Sequence, residues 1–174
     1  ITDAGLKHLQ SFSQLQELNL TGNPRLSDAG LEHVSMLTNL RSLTLGRTYV
    51  RAKSGQFTDV ALSHIKRLTE LQTLNLSFTG ITNAGLVHLK GLAKLESLNL
   101  RYTQITDAGL RQLKGLTTLL ELDLGRTQTT DAGLVHLKGM TNLQTLDLRL
   151  TKITDSGLVH LKGMTNLQTL DLTE

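Results

Sequence analysis

Seven times along the chain, apolar and polar residues alternate as L-x-x-L-x-L, starting at Leu15, Leu40, Leu71, Leu95, Leu119, Leu143 and Leu167. In Leu74-Asn75-Leu76 successive side chains fall on opposite faces, the two-residue period of a half-buried strand. The spacing then changes: Leu86, Leu89 and Leu92 recur every third residue, one face of a short helix. Between the two stands Thr82, an expected N-cap. Its equivalents are Thr2, Ser27, Thr58, Thr106, Thr130 and Thr154, so every unit carries a hydroxyl there. Asp3, Asp28, Asp59, Asp107, Asp131 and Asp155 follow that hydroxyl, with Asn83 in the fourth unit, and a carboxylate there suits the positive end of a helix dipole.

The steps between successive L-x-x-L-x-L phrases are 25, 31, 24, 24, 24 and 24 residues, and GLVHLKGMTNLQTLDL occurs twice unchanged. Such identity implies a recent duplication or an engineered consensus. One strand and one short helix cannot bury their leucines alone, so successive units must stack. Strands pack about 4.8 Å apart and helices roughly 8–10 Å apart, and this mismatch bends the stack into an arc with the sheet inside. The expected fold is therefore an α/β solenoid, with a parallel β-sheet on the concave face and short α-helices on the convex face. Residues 1–174 read as one domain of about seven repeats of 24–25 residues, with a seven-residue insertion within 50–57. The chain opens on ITDAGL, itself a piece of the repeat, and is expected to come from a longer protein.

The phrase L-x-x-L-x-L, followed by a Thr or Asn, an aliphatic residue and [ST]-[DN]-x-[GA]-L, resembles the leucine-rich repeat family. It is most similar to the cysteine-containing class found in F-box proteins and in bacterial proteins with ITDAGL units. The cysteine column of that class is here Asn23, Thr48, Thr79, Thr103, Thr127 and Thr151, whose side chains can still hydrogen-bond the loop backbone. The resemblance implies a protein-binding horseshoe. A substrate-recognition part of a ubiquitin-ligase-like complex would follow from the F-box analogy alone, and no segment of this chain resembles an F-box.

Composition narrows the chemistry. With no Cys there is no disulfide, thiolate metal site or cysteine nucleophile. A formal charge of +3, from interspersed acids and bases, does not point to nucleic acid, and no apolar run approaches the roughly 20 residues of a membrane span. The six histidines form one helical column (His8, His33, His64, His88, His136, His160), too widely spaced on successive helices to share one zinc ion. Lys66, Lys90, Lys114, Lys138 and Lys162 suit helix C-termini, where a cation complements the dipole without any partner. Gly5, Gly30, Gly85, Gly109, Gly133 and Gly157 read as small residues that let helix approach sheet, since neither phosphate-loop pattern is present. Catalysis needs one asymmetric constellation and every candidate here belongs to a repeated column. No enzyme activity, cofactor or metal is expected.

Function is expected where equivalent positions differ, because packing alone would keep them alike. One outward strand column reads Asn19, Thr44, Asn75, Asn99, Asp123, Asp147, Asp171, neutral and then acidic. Arg101, Arg126 and Arg149 are expected to neutralise the acids, in preference to a Ca²⁺ site. Four of the five aromatic residues, Tyr49, Phe57, Phe78 and Tyr102, map to the strand-exit edge or its loops, although Phe57 is a candidate to replace Val50 in the buried aliphatic column. Exposed Tyr, Phe and Arg are the types enriched at protein-binding hot spots. The candidate partner-binding residues are Arg47, Tyr49, Arg51, Lys53, Phe78, Arg101, Tyr102, Asp123, Arg126, Asp147 and Arg149. The partner is expected to be another protein, with no nucleic acid and no membrane. The alternative is a structural or assembly segment that associates end to end through uncovered leucines, Leu6 and Leu9 at one end and Leu170 and Leu172 at the other. Nothing in the sequence reads out a cellular location.

Overall fold

The computed structural model describes residues 1–46 and 57–174. Each L-x-L pair forms one three-residue strand: β1 (Glu17–Asn19), β2 (Ser42–Thr44), β3 (Thr73–Asn75), β4 (Ser97–Asn99), β5 (Glu121–Asp123), β6 (Thr145–Asp147) and β7 (Thr169–Asp171). They pair in chain order as a single parallel sheet. The register aligns the middle leucine of every strand, from Leu18 with Leu43 through to Leu146 with Leu170. Side chains alternate across a strand, so a slip of one residue would carry a whole leucine column to solvent. The inward leucines meet those of the return helices in one continuous core, which includes Leu43, Leu74, Leu86, Leu98, Leu110, Leu122 and Leu134. Each contributes about 1.5–3 kcal/mol on burial.

The convex side is built from short helices of one or two turns that mix α and 3₁₀ geometry. α1 (Asp3–Leu6) and α2 (Leu31–Val34) are single α-turns, α3 (Asp59–Ile65) and α4 (Asp107–Leu113) are two-turn α-helices, and Gly85–Gly91 is wholly 3₁₀. Leucines spaced by three suit either form, because a 3₁₀-helix has three residues per turn. The expectation of short α-helices on this face therefore holds in part.

Phe57 is 2% exposed, and its carbonyl accepts from Gly80 N–H at 2.8 Å as Ile81 accepts from Gln104 at 3.0 Å. It therefore fills the aliphatic column. Leu45 and Phe57 are 12 residues apart where Leu76 and Ile81 are five apart. The surplus consequently precedes Phe57, which belongs to the core and not to an insertion. Thr129 takes the same column in the next-to-last full unit; it is fully buried, with its hydroxyl 2.8 Å from that of Thr127. Expectations for the two ends part company: Leu6 is fully buried because the second unit covers it, Leu9 is half-buried, and Leu170 and Leu172 are 39% and 41% exposed.

The acidic column does more than complement a dipole. Asp3 accepts the backbone N–H and the hydroxyl of Ser27, one unit on, at 2.8 and 2.6 Å. Asp28 does the same for Thr58, Asp59 for Thr82, Asp107 for Thr130 and Asp131 for Thr154. Each carboxylate thus holds the cap residue of the next unit, and most of those caps in turn accept the N–H two residues on. The glycine column follows from this contact rather than from helix–sheet proximity. A Cβ on Gly133 would stand 2.4 Å from Asp107 Oδ1 and 2.9 Å from Leu110 Cδ1, and Gly30, Gly85 and Gly157 meet the preceding aspartate likewise. Gly133→Ala should cost about 1–3 kcal/mol in urea melts, as over-packing does. Gly139→Ala, with nothing within 4 Å, is the control and should be near neutral; equal losses would mean that helix propensity and not the carboxylate decides.

In the fourth unit the amide variant changes the pattern. Asn83 accepts Thr106 N–H at 3.0 Å but donates its amide to the Thr106 hydroxyl at 2.8 Å, and Thr106 gives α4 no side-chain cap. Asn83→Asp should restore the charge-assisted pair and its cap, raising stability by about 1 kcal/mol. Calorimetry showing no rise would mean that the amide holds the joint equally well.

Candidate functional site

The outward strand column first serves the backbone. Side-chain oxygens of Asn19, Asn75, Asn99, Asp123, Asp147 and Asp171 accept the N–H two residues on, at 2.8–3.0 Å. Asn and Asp form such a turn equally well. The local conformation therefore asks for either residue and leaves the charge free to vary along the sheet.

On the last three strands that freedom produces a row of alternating charge. Arg149 donates from Nε to Asp147 at 2.8 Å and from Nη2 to the same oxygen, while its Nε also lies 3.1 Å from Asp171. Arg101 reaches across one strand and places Nη1 3.8 Å from Asp147 Oδ2. It can do so because residue 125 is glycine: a Cβ there would stand 2.8 Å from that nitrogen. Asp147, 9% exposed, is the centre of the row. The hydrogen bond that Arg149 donates to Asp147 is the chief cause that raises the pKa of Arg149. Asp171 is held below the usual carboxylate range, chiefly by the Thr173 backbone N–H and then by its hydroxyl.

Asp123 differs. Its carboxyl is pushed above the ordinary 3.8 first by burial; the Gly125 N–H opposes this, Asp147 adds repulsion, and Arg101 and Arg149 compensate only in part. Of the three arginines expected to neutralise this row, Arg126 takes no part.

Arg126 belongs to the exit edge. Phe78, Tyr102, Arg126 and Leu150 have φ of 58°, 55°, 58° and 54°, the left-handed region, where the first unit carries Gly22 at 77°. The turn is imposed by the stack, since each of these N–H groups donates to a carbonyl of the following unit at 2.8–2.9 Å. For residues with a Cβ this conformation costs roughly 1–2 kcal/mol each, and it throws four large side chains sideways in a strip. The Phe78 and Tyr102 rings stack with centroids 4.9 Å apart at 22°. The Arg126 guanidinium lies over the other face of Tyr102, 5.9 Å from its centroid. Tyr102 and Leu150 are 36% and 45% exposed. Beneath the strip, the hydroxyls of Thr79, Thr103, Thr127 and Thr151 donate to the carbonyls of Leu76, Leu100, Leu124 and Leu148 at 2.6–2.7 Å, as expected for the column in which the resembled class carries Cys.

The candidate residues thus fall into two groups, Arg101, Asp123, Asp147 and Arg149 on the sheet, and Phe78, Tyr102 and Arg126 on the edge. Arg47, Tyr49, Arg51 and Lys53 lie outside the described residues. Leu150 belongs to the strip but was not among the candidates, because an exposed leucine in a leucine-rich chain looks like core; only its column could have marked it. Asp171 and Gly125 complete the charged row. Among the described residues no three His, Asp or Glu side chains form a group able to hold a metal ion, and no helix is long and apolar enough to cross a membrane.

An open arc of parallel strands backed by short helices, with variable residues on the sheet and its exit edge, defines a leucine-rich-repeat solenoid. Sequence profiles described as leucine rich repeat match residues 69–128, and residues 14–35 and 139–161. The chain belongs to the leucine-rich-repeat family. It is similar in structure to two internalins of Listeria monocytogenes. For internalin C2 the identity is 25% and the TM-score 0.60, over 99% of this chain and 84% of that one. For the internalin inlF the values are 24% and 0.55, over 97% of this chain and 57% of that one, so the chain spans little more than half of inlF. No curated protein matches the chain in sequence.

The raised carboxyl of Asp123 has a sign that can be measured. Between 3.8 and its raised value the folded protein holds a proton that the unfolded chain releases, so this group lowers stability as pH rises through that window. Asp123→Asn keeps the turn, as Asn99 shows. The variant should melt above the wild type at neutral pH, with the gain vanishing below the ordinary aspartate range. A lower melting temperature at neutral pH would show that Arg101 and Arg149 outweigh burial.

Proposed function

We propose that this chain is a protein-recognition module that holds a partner against the concave sheet and its exit edge and carries out no chemistry itself. The observation that carries the reading is the strip of Phe78, Tyr102, Arg126 and Leu150, large side chains held at the surface, Phe78 half-buried and the other three exposed, in a backbone conformation that glycine adopts without cost. Aromatic rings bury much area with little loss of conformational entropy, and Tyr and Arg are enriched among the residues that dominate binding energy at protein interfaces. The charged row beside the strip supplies polar selectivity, because a partner that displaces its internal pairs must replace them. Membership of the cysteine-containing class belongs to the same proposal, supported by the threonine hydroxyls that bond the loop carbonyls.

A second reading is an assembly segment that associates end to end. Light scattering across concentration separates the two, since assembly requires size to grow with concentration. To test recognition, a protein captured by the immobilised chain is purified and its affinity measured against two variants. One lacks seven residues before Phe57, restoring the regular step; the other carries Phe78→Ala with Tyr102→Ala. Both should stay folded and bind at least tenfold more weakly, about 1.4 kcal/mol. Unchanged affinity in both would remove the edge from the interface, and unfolding on excision would make that segment structural.

A further inference from the structure

The arginines of this surface are not equivalent. Arg149 is committed to Asp147 and Asp171, and Arg101 lies against Asp147. Arg126 has no carboxylate within ion-pair distance among the described residues; its guanidinium is exposed and held over the Tyr102 ring. A cation stacked on an aromatic face keeps its N–H groups at the ring's perimeter, free to donate in a fork that matches a carboxylate. Its neighbours on the strip are Tyr102 on one side and Leu150 on the other, both exposed and both uncharged.

The geometry points to one kind of occupant: we infer that the exit edge binds a partner protein through an extended segment that presents an Asp or Glu flanked by apolar side chains. The acid pairs with Arg126, and the flanking residues cover Leu150 on one side and the Tyr102–Phe78 stack on the other. Rungs of the strip follow the strands, about 4.8 Å apart, so Leu150 and Tyr102 stand roughly 9.6 Å apart, the length of about three residues of extended chain at 3.3 Å each. The apolar residues therefore lie one or two positions either side of the acid. Among the described residues of the strip, a single unpaired guanidinium accounts for one acidic group. A nucleic-acid backbone, with a charge at every step, would call for several unpaired cations along the strip. The inference rests on the recognition reading and specifies which surface and which chemistry serve it.

The experiment pans a displayed random-peptide library against the wild type, Arg126→Glu, Tyr102→Gly and Thr73→Arg, the last obstructing the concave sheet on β3. Wild-type selections should be enriched in Asp or Glu flanked by Leu, Ile, Val or Phe. The best peptide, synthesised and followed by fluorescence anisotropy, should lose at least tenfold in affinity on Arg126→Glu and on Tyr102→Gly, and less than twofold on Thr73→Arg. Selections on Arg126→Glu should turn to Lys and Arg. Tyr102→Gly relieves the left-handed strain, so a melting temperature close to that of the wild type shows that its lost binding is not lost folding. Peptides that bind without an acid, or that survive Arg126→Glu and fail on Thr73→Arg, would overturn the edge inference and leave recognition through the sheet standing. Tighter binding of a single-stranded oligonucleotide than of any selected peptide would overturn it too. No selectable peptide on any surface would overturn both.

Discussion

The structure depends on the joint at which one unit's aspartate holds the cap residue of the next. A strand of three residues and a helix of one or two turns have no stability of their own, so each unit exists only as packed against its neighbours. Leucine layers supply the attraction and their alternation penalises a slip of one residue, but a slip of two keeps every leucine on its own face. The carboxylate that accepts both the N–H and the hydroxyl of the following Ser or Thr removes that freedom. It also dictates composition nearby. Gly30, Gly85, Gly133 and Gly157 are present because the carboxylate of the preceding unit occupies the space of a side chain.

With register set at the helix entrance, the sheet and its exit edge are released from most packing duties. The outward Asn or Asp still closes a turn, yet it does so equally well charged or neutral, and this allows a charged row on the last three strands without changing the fold. Gly125 then does for the row what the repeated glycines do for the joints, giving room for a side chain from another strand. At the exit edge the opposite choice is made. A position where glycine would be free of strain carries Phe, Tyr, Arg and Leu, and the outcome is an exposed strip with one guanidinium left without a carboxylate.

The difference between Arg126 and its neighbours shows how charge and position separate. Three arginines close together in the repeat look alike as a pattern, and all three would be expected to face the acids. Moving one residue along the turn rotates the side chain from the sheet to its edge, so Arg101 and Arg149 meet Asp147 while Arg126 meets Tyr102.

The sequence by itself determined the solenoid, the strand positions, the cap hydroxyls and the aliphatic column that Phe57 enters, because each rests on a local period repeated seven times. It also marked the Thr hydroxyls as loop-binding groups. Tertiary structure alone decided which unit each aspartate serves, why a glycine of the next unit faces it, and which arginines are paired. Those outcomes depend on atoms about 24 residues apart in sequence meeting across a joint, and on a left-handed backbone set by hydrogen bonds to the next unit. Neither leaves a trace in the order of residues within one repeat.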